Sequence, residues 1–160
     1  MAGRYATGTD VPVSRTRAEI EDTLARYGAS GFLSGYEDNR AFLGFRLRDR
    51  HVKFILPLPD PNEREFWQTN HASPRRRTAD QARAAWDQAC RARWRALLLS
   101  IKAKLEAVEV GITSFDDEFM AHLVLPDGKT VGQHMRPQIQ LAYETGDMPP
   151  LLPPPEGHNG

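Results

Sequence analysis

Nine basic side chains fall between residues 71 and 104: Arg75, Arg76, Arg77, Arg83, Arg91, Arg93, Arg95, Lys102 and Lys104. Only Asp80 and Asp87 oppose them, which leaves the segment at a formal +7. Seven of the nine are arginines, and the planar guanidinium pairs in two-pronged fashion with phosphate oxygens. Arg91, Arg95 and Lys102 recur at spacings of four and seven, which places them along one flank of a helix. Upstream, Phe66 and Trp67 precede the Arg75-Arg76-Arg77 run, and flat rings beside cations are what unpaired bases stack on. The chemistry this stretch is equipped for is phosphate contact by Arg75, Arg76, Arg77, Arg91, Arg95 and Lys102, with base stacking on Phe66 and Trp67. The competing reading is an ordinary solvated helix face. For Phe42, Arg46, Arg48 and Lys53, from a strand pair, an ordinary solvent-facing sheet face is favoured over an extension of the same basic surface.

Signatures of catalysis are sparse. Asp116 or Asp117 with Asp127-Gly128-Lys129 faintly matches the two carboxylates and lysine with which metal-dependent nucleases hold Mg²⁺ and polarise a phosphate. Pro126-Asp127-Gly128 is equally the composition of a plain tight turn. His51, His71, His122, His134 and His158 include no pair four residues apart, so no helical zinc site is expected. Cys90 falls on an apolar stripe and reads as core, while Ser34 lacks the setting of a hydrolase nucleophile. Without a glycine-rich phosphate loop, nucleotide hydrolysis is not expected either. The reading is a binding protein rather than an enzyme, with no metal and no cofactor.

The elements that must position these groups are legible from periodicity. Thr16-Arg17-Ala18-Glu19 fits a capping box, with Ile20, Leu24 and Tyr27 at helical spacing until Gly28. Phe32 to Tyr36 reads as a strand, followed by the turn Glu37-Asp38-Asn39-Arg40. Ala41, Leu43, Phe45 and Leu47 then alternate with Phe42, Gly44, Arg46 and Arg48. After a turn at Asp49-Arg50, the return strand from His51 to Leu56 sets Val52, Phe54 and Leu56 on one face. Residues 57–77 read as a long mobile connection. Thr78-Ala79-Asp80-Gln81 is a second capping box, launching a helix of about thirty residues with Trp86, Cys90, Trp94, Leu97, Leu98, Ile101, Leu105 and Val108 in one stripe. Thr113-Ser114 opens an acidic helix bearing Phe115, Phe119 and Leu123, and Thr130 to Gln133 opens a last one that ends at Gly146. Leu123 to Leu125 fits helix or strand equally. The fold class expected is α+β: an N-terminal helix, a three-stranded antiparallel meander, a long helix across the sheet, and two short C-terminal helices. Residues 11–146 form the single domain, 1–10 a flexible arm and 147–160 a proline-rich tail.

The chain has 160 residues, with 21 Lys+Arg against 21 Asp+Glu and 40% hydrophobic residues, which suits one domain. No apolar run approaches the ~20 residues of a membrane span, and the first residues lack the apolar region of a secretion signal. A cytoplasmic protein is expected. Cys90 is the single cysteine, so no disulfide closes within the chain. The zero net charge conceals segregation: residues 1–70 balance ten against ten, whereas 105–160 carry two basic and nine acidic residues, −7. Such asymmetry points to a polyanion partner or to head-to-tail pairing between copies. It points to neither if the acidic helices fold over the basic one.

Pro12-Val13-Ser14-Arg15-Thr16, Tyr27-Gly28-Ala29, Phe54-Ile55-Leu56-Pro57-Leu58-Pro59, Trp94 to Glu106 and Phe119 to Gly132 resemble a family of small phage and prophage proteins. The resemblance spans residues 11–146. It implies a phage or integrated-element origin in a bacterial host, and a role in phage DNA metabolism or against host defence. It assigns no functional residue. In architecture alone, a helix, a meander and a long crossing helix are similar to ring-forming single-strand annealing proteins and to double-stranded RNA-binding domains. The function expected is therefore binding of nucleic acid, single-stranded DNA favoured, without sequence specificity, in phage recombination or replication. The alternative is a small interaction protein that inhibits a host defence enzyme by direct contact.

Overall fold

Alternating apolar residues build the sheet on which the other elements rest. The computed structural model describes residues 9–152. Strands β1 (Ser30–Glu37), β2 (Arg40–Leu47) and β3 (Arg50–Pro57) form one antiparallel sheet in the order β1-β2-β3. Ala41, Leu43, Phe45 and Leu47 of β2 are buried with Val52 and Phe54 of β3, Leu43 opposite Phe54 and Phe45 opposite Val52. Both hairpins turn on two residues of positive φ, Asp38 (45°) and Asn39 (57°), then Arg48 (50°) and Asp49 (60°). That backbone twist matches the twist of the flanking strands, and Asp and Asn tolerate it best. The second turn sits one residue earlier than the sequence suggests, since Leu47 pairs with Arg50. Arg48 accordingly leaves the strand face, and its guanidinium carbon lies 5.6 Å from the Phe115 ring centroid.

Helices α1 (Val13–Arg26) and α3 (Ala79–Glu109) cover the same sheet face. Ile20 and Leu24 of α1 meet Trp94, Leu97, Leu98, Ile101 and Leu105 of α3 over the buried strand residues. With 31 residues, α3 is about 46 Å long. It starts at the expected capping box, in which Thr78 Oγ1 accepts from the Gln81 amide and Gln81 Oε1 accepts from the Thr78 amide. For α1 the capping expectation is corrected. The helix begins earlier, the Pro12 carbonyl accepts the amides of Arg15 and Thr16 at 3.1 Å, and Thr16 lies fully buried inside it. Starting at Val13 puts Thr16, Ile20, Thr23 and Leu24 on one inward stripe, so burial of that stripe sets the start.

The connection of residues 57–77 is also corrected, since it is structured. It contains the short helix α2 (Arg64–Trp67), whose Phe66 is only 4% exposed, and a bridge between Gln68 and Arg76. After α3, α4 (Phe115–Phe119) is capped by Ser114, whose hydroxyl accepts from the Asp117 amide, and runs into a 3-10 turn at Met120–His122. The ambiguous Leu123 to Leu125 run is extended, Leu123 bridging to Val52 and Val124 to Thr130. Helix α5 (Val131–Thr145) starts at a Thr130–Gln133 capping box and stops at Gly146, where φ is 77°. Its span is the one expected, and Val131 is its one buried residue. The architecture is α+β as read. The readings of residues 1–10 and 147–160 as arm and tail fall mostly outside the described residues. Among the described residues no helix is long and apolar enough to cross a membrane.

Candidate nucleic-acid interface

The cations expected on one helix flank are largely engaged inside the fold. Arg95 Nη1 donates to Glu19 Oε2 at 2.7 Å, and Lys102 Nζ to Glu19 Oε1 at 3.0 Å, so two residues of α3 grip one carboxylate of α1. Hydrogen bonds from Lys102 and Arg95 hold the Glu19 carboxyl below its ordinary range. Arg91 donates to Gln88 Oε1, and Arg77 to the carbonyls of Glu65 and Phe66 at 3.1 and 3.3 Å. Arg75, Arg76 and Arg83 remain exposed, and their side chains have no partner among the described residues. Phe66 is buried, which removes it as a base-stacking ring. Trp67 is half-buried, with its indole N–H donated to the Pro61 carbonyl at 3.0 Å. The structure therefore does not bring the eight expected residues onto one surface. The sequence spacing could locate the flank of α3 but not the neighbour that flank meets.

The clasp on Glu19 has a testable consequence. Glu19→Gln should cost about 1 kcal/mol or less near neutral pH, because the three groups are partly exposed and water screens them. The carboxyl's lowered pKa adds stability above its unfolded value of 4.5, lost as pH falls through the folded value. Urea midpoints across that interval should show the wild type losing its advantage over the variant. An advantage that persists in acid would mean the clasp does not contribute through the carboxylate.

The charge segregation survives folding. Among the described residues, Lys104 with Glu118 at 3.2 Å is the single ion pair between the +7 and −7 segments. The basic residues lie before and along α3, whereas Glu106 and Glu109 sit at its far end and Asp116, Asp117 and Glu118 just beyond.

A second surface is better organised. Because α1 and α3 occupy one face of the sheet, strand alternation turns Leu33, Phe42, Gly44, Arg46, Lys53 and Ile55 to the other. Phe42 leans across Gly35 so closely that a Cβ there would come within 2.7 Å of its ring. Lys53 Nζ lies 5.2 Å from the Phe42 ring centroid, within range of a cation–π contact. Arg46 is exposed beside them, and Arg40 follows the same alternation. Phe42, Arg46 and Lys53 thus share the side of the sheet opposite α3, whereas the turn redirects Arg48. Along β3 the surface continues into a cleft of about 410 Å³ that Lys53 and Ile55 share with His122, Met135, Arg136 and Ile139. The His122 ring stacks on Phe54 with centroids 4.2 Å apart. Burial, then the charges of Lys104 and Arg136, push its pKa below the ordinary histidine value, which keeps the imidazole neutral at pH 7.

The carboxylates weighed for a nuclease site do not converge. Asp116 pairs with Arg50 at 3.4 Å, Asp117 accepts from the Ser114 hydroxyl at 2.7 Å, and Asp127 lies 2.6 Å from His134 Nε2. These carboxylates face separate partners, and no group of three metal-ligating residues forms among the described residues. Burial pushes the Cys90 thiol up to about 11, so it stays protonated at neutral pH. No family model, curated protein or solved structure matches the chain.

Proposed function

We propose that the protein binds single-stranded nucleic acid without sequence specificity, in phage recombination or replication, and that the open sheet face is the platform. The observation that carries this reading is the packing of α1 and α3 on one side of the sheet, which leaves Phe42 with Arg40 and Arg46 on the other side and Lys53 between them and the α5 cleft. An aromatic ring on an open strand surface offers a stacking plane to a base, while the surrounding cations meet the phosphates on either side. Duplex DNA hides its base faces, so the same surface favours unpaired strands. The exposed Arg75, Arg76 and Arg83 supply long-range attraction to a polyanion rather than base contact.

Fluorescence anisotropy with a labelled oligothymidylate and a duplex of equal length, over a series of salt concentrations, tests the proposal. The single strand should bind more tightly, and log affinity should fall linearly with log salt at ~0.7 per phosphate neutralised. Absence of binding at low salt, or equal affinity for the duplex, refutes it. A specific observation favours a second reading, a contact protein directed at a host defence enzyme. Leu33 is 65% exposed on the same face and Tyr36 59% exposed on the edge strand β1, apolar surface of the kind that protein partners cover. Failure with both oligonucleotides would favour that reading.

A further inference from the structure

Three tryptophans provide an internal comparison. The indole N–H of Trp67 reaches the Pro61 carbonyl at 3.0 Å and that of Trp86 the Pro59 carbonyl at 2.7 Å. Trp94 is 1% exposed, and its buried Nε1 has no acceptor among the described residues. Three positions earlier on α3, the Nε of Arg91 is likewise buried without a partner. Native proteins rarely leave a buried donor unmatched, because the water it gave up is not replaced.

Both residues line a cleft of about 310 Å³ between the start of α1, the first half of α3 and the helix-covered side of the sheet. Its walls are Val13 at the start of α1, Tyr36 on β1, Leu58 after β3, and Trp86. Trp86, Cys90 and Trp94 recur every four residues, so successive turns of α3 present an indole, a thiol and an indole. Indole and guanidinium groups can only donate. The protonated Cys90 thiol adds a third, weak donor and no charge. Asp87, one turn ahead of Arg91 on the rim, offsets the guanidinium, so the cleft does not attract polyanions in general.

We propose that this cleft is a binding site for a small molecule with a single-ring apolar body and a terminal hydrogen-bond acceptor, a carboxylate or carbonyl oxygen, received by Trp94 Nε1–H and Arg91 Nε–H. The volume lies at the lower end of the ~300–1,000 Å³ usual for ligand pockets, which sets the one-ring limit. The apolar walls bury the ring, and the two donors gain the acceptor that the chain does not give them. This site uses none of the residues of the sheet platform, so it stands or falls separately from nucleic-acid binding.

The test is a titration of the ¹⁵N-labelled full chain with 4-phenylbutyrate, 4-phenylbutyramide and 4-phenylbutylamine. The three share a body and differ in the terminal group. The indole N–H resonance of Trp94, assigned with a Trp94→Phe variant, should shift saturably with the carboxylate alone or with both acceptors, and not with the amine. The Trp67 resonance should stay in place. Arg91→Lys, which keeps the charge but removes the Nε–H, should weaken binding roughly tenfold, the loss of one charge-assisted hydrogen bond. A Trp94 resonance that never moves, an equal response to the amine, or an unchanged affinity in Arg91→Lys overturns the proposal. The saturable shift and the contrast between the three ligands are read in the wild-type chain, so that arm decides the proposal even if Arg91→Lys does not fold.

Discussion

Replacing Phe42 by alanine together with Arg46 and Lys53 by glutamine should lower affinity for a single strand by roughly 30- to 1,000-fold at low salt. A base stacked on an aromatic ring is worth ~1–3 kcal/mol, and the two phosphate contacts bring the sum to about 2–4 kcal/mol. The salt dependence should flatten as well, by ~0.7 for each cation removed, or about 1.4 in all. None of the three side chains belongs to the buried core, so the urea midpoint of the variant should stay close to that of the wild type. Alanine at Arg75 and Arg76 is the informative contrast. Those arginines are exposed, with no stacking ring among their contacts, and they should change affinity only through the salt-dependent part. If the triple variant binds as the wild type does while the arginine pair does not, the platform is the α2–α3 region and not the sheet.

Period and caps account for most of what was legible in the sequence. The two-residue alternation of Ala41 to Leu47 and the three-and-four stepping of Trp86 to Leu105 each name an inward face, buried throughout on the strand and from Cys90 to Leu105 on the helix, with Trp86 half-buried. The Thr78 capping box marks a helix start to the residue, and the start read at Thr130 to Gln133 proves to be capped in the same way. The Thr16 box failed because Thr16 also falls on the helical core stripe of Ile20, Thr23 and Leu24, and burial of that stripe outweighs the capping hydrogen bonds. The long connection failed for a related reason. Its polar composition hid one residue, Phe66, whose burial orders the segment around it, with Arg77 closing on the carbonyls of Glu65 and Phe66.

The candidate site was legible as residue types and illegible as pairings. Arg95 and Lys102 look like free cations because their partner, Glu19, lies 76 and 83 positions away in the chain. No local pattern announces so distant a carboxylate. Conversely, the platform residues were visible as the odd half of an alternation, but which half faces solvent depends on where α1 and α3 settle. Both helices pack on the apolar half, and the basic half is left outside. The opposed charges are divided in a similar way: among the described residues two cations of the basic helix pair with Glu19 of α1 and one, Lys104, with Glu118 of the acidic segment.

Phe119→Ala should be the most destabilising single change in the C-terminal region, at about 3–5 kcal/mol. The side chain is fully buried, stacked on Phe115 at 4.8 Å and edge-on to Phe54 at 6.2 Å, with Lys104 Nζ 6.0 Å from its ring. It thus joins α4 to both β3 and α3. Helix α4 has five residues, too few to persist by its own hydrogen bonds, so this burial holds it in place. The segment C-terminal to α4 depends on the same anchor: the 3-10 turn, the Leu123 bridge to Val52 and the seating of α5 through Val131. Against a typical total of ~5–15 kcal/mol, the loss is a large fraction of the fold's stability. Urea unfolding at constant slope measures it, with Ile139→Ala as the comparison, since Ile139 is 42% exposed and should change the midpoint little. A cost below ~1 kcal/mol for Phe119→Ala would place the anchor elsewhere. The cleft beside β3, which draws one wall from α5, would then not owe its shape to the aromatic cluster.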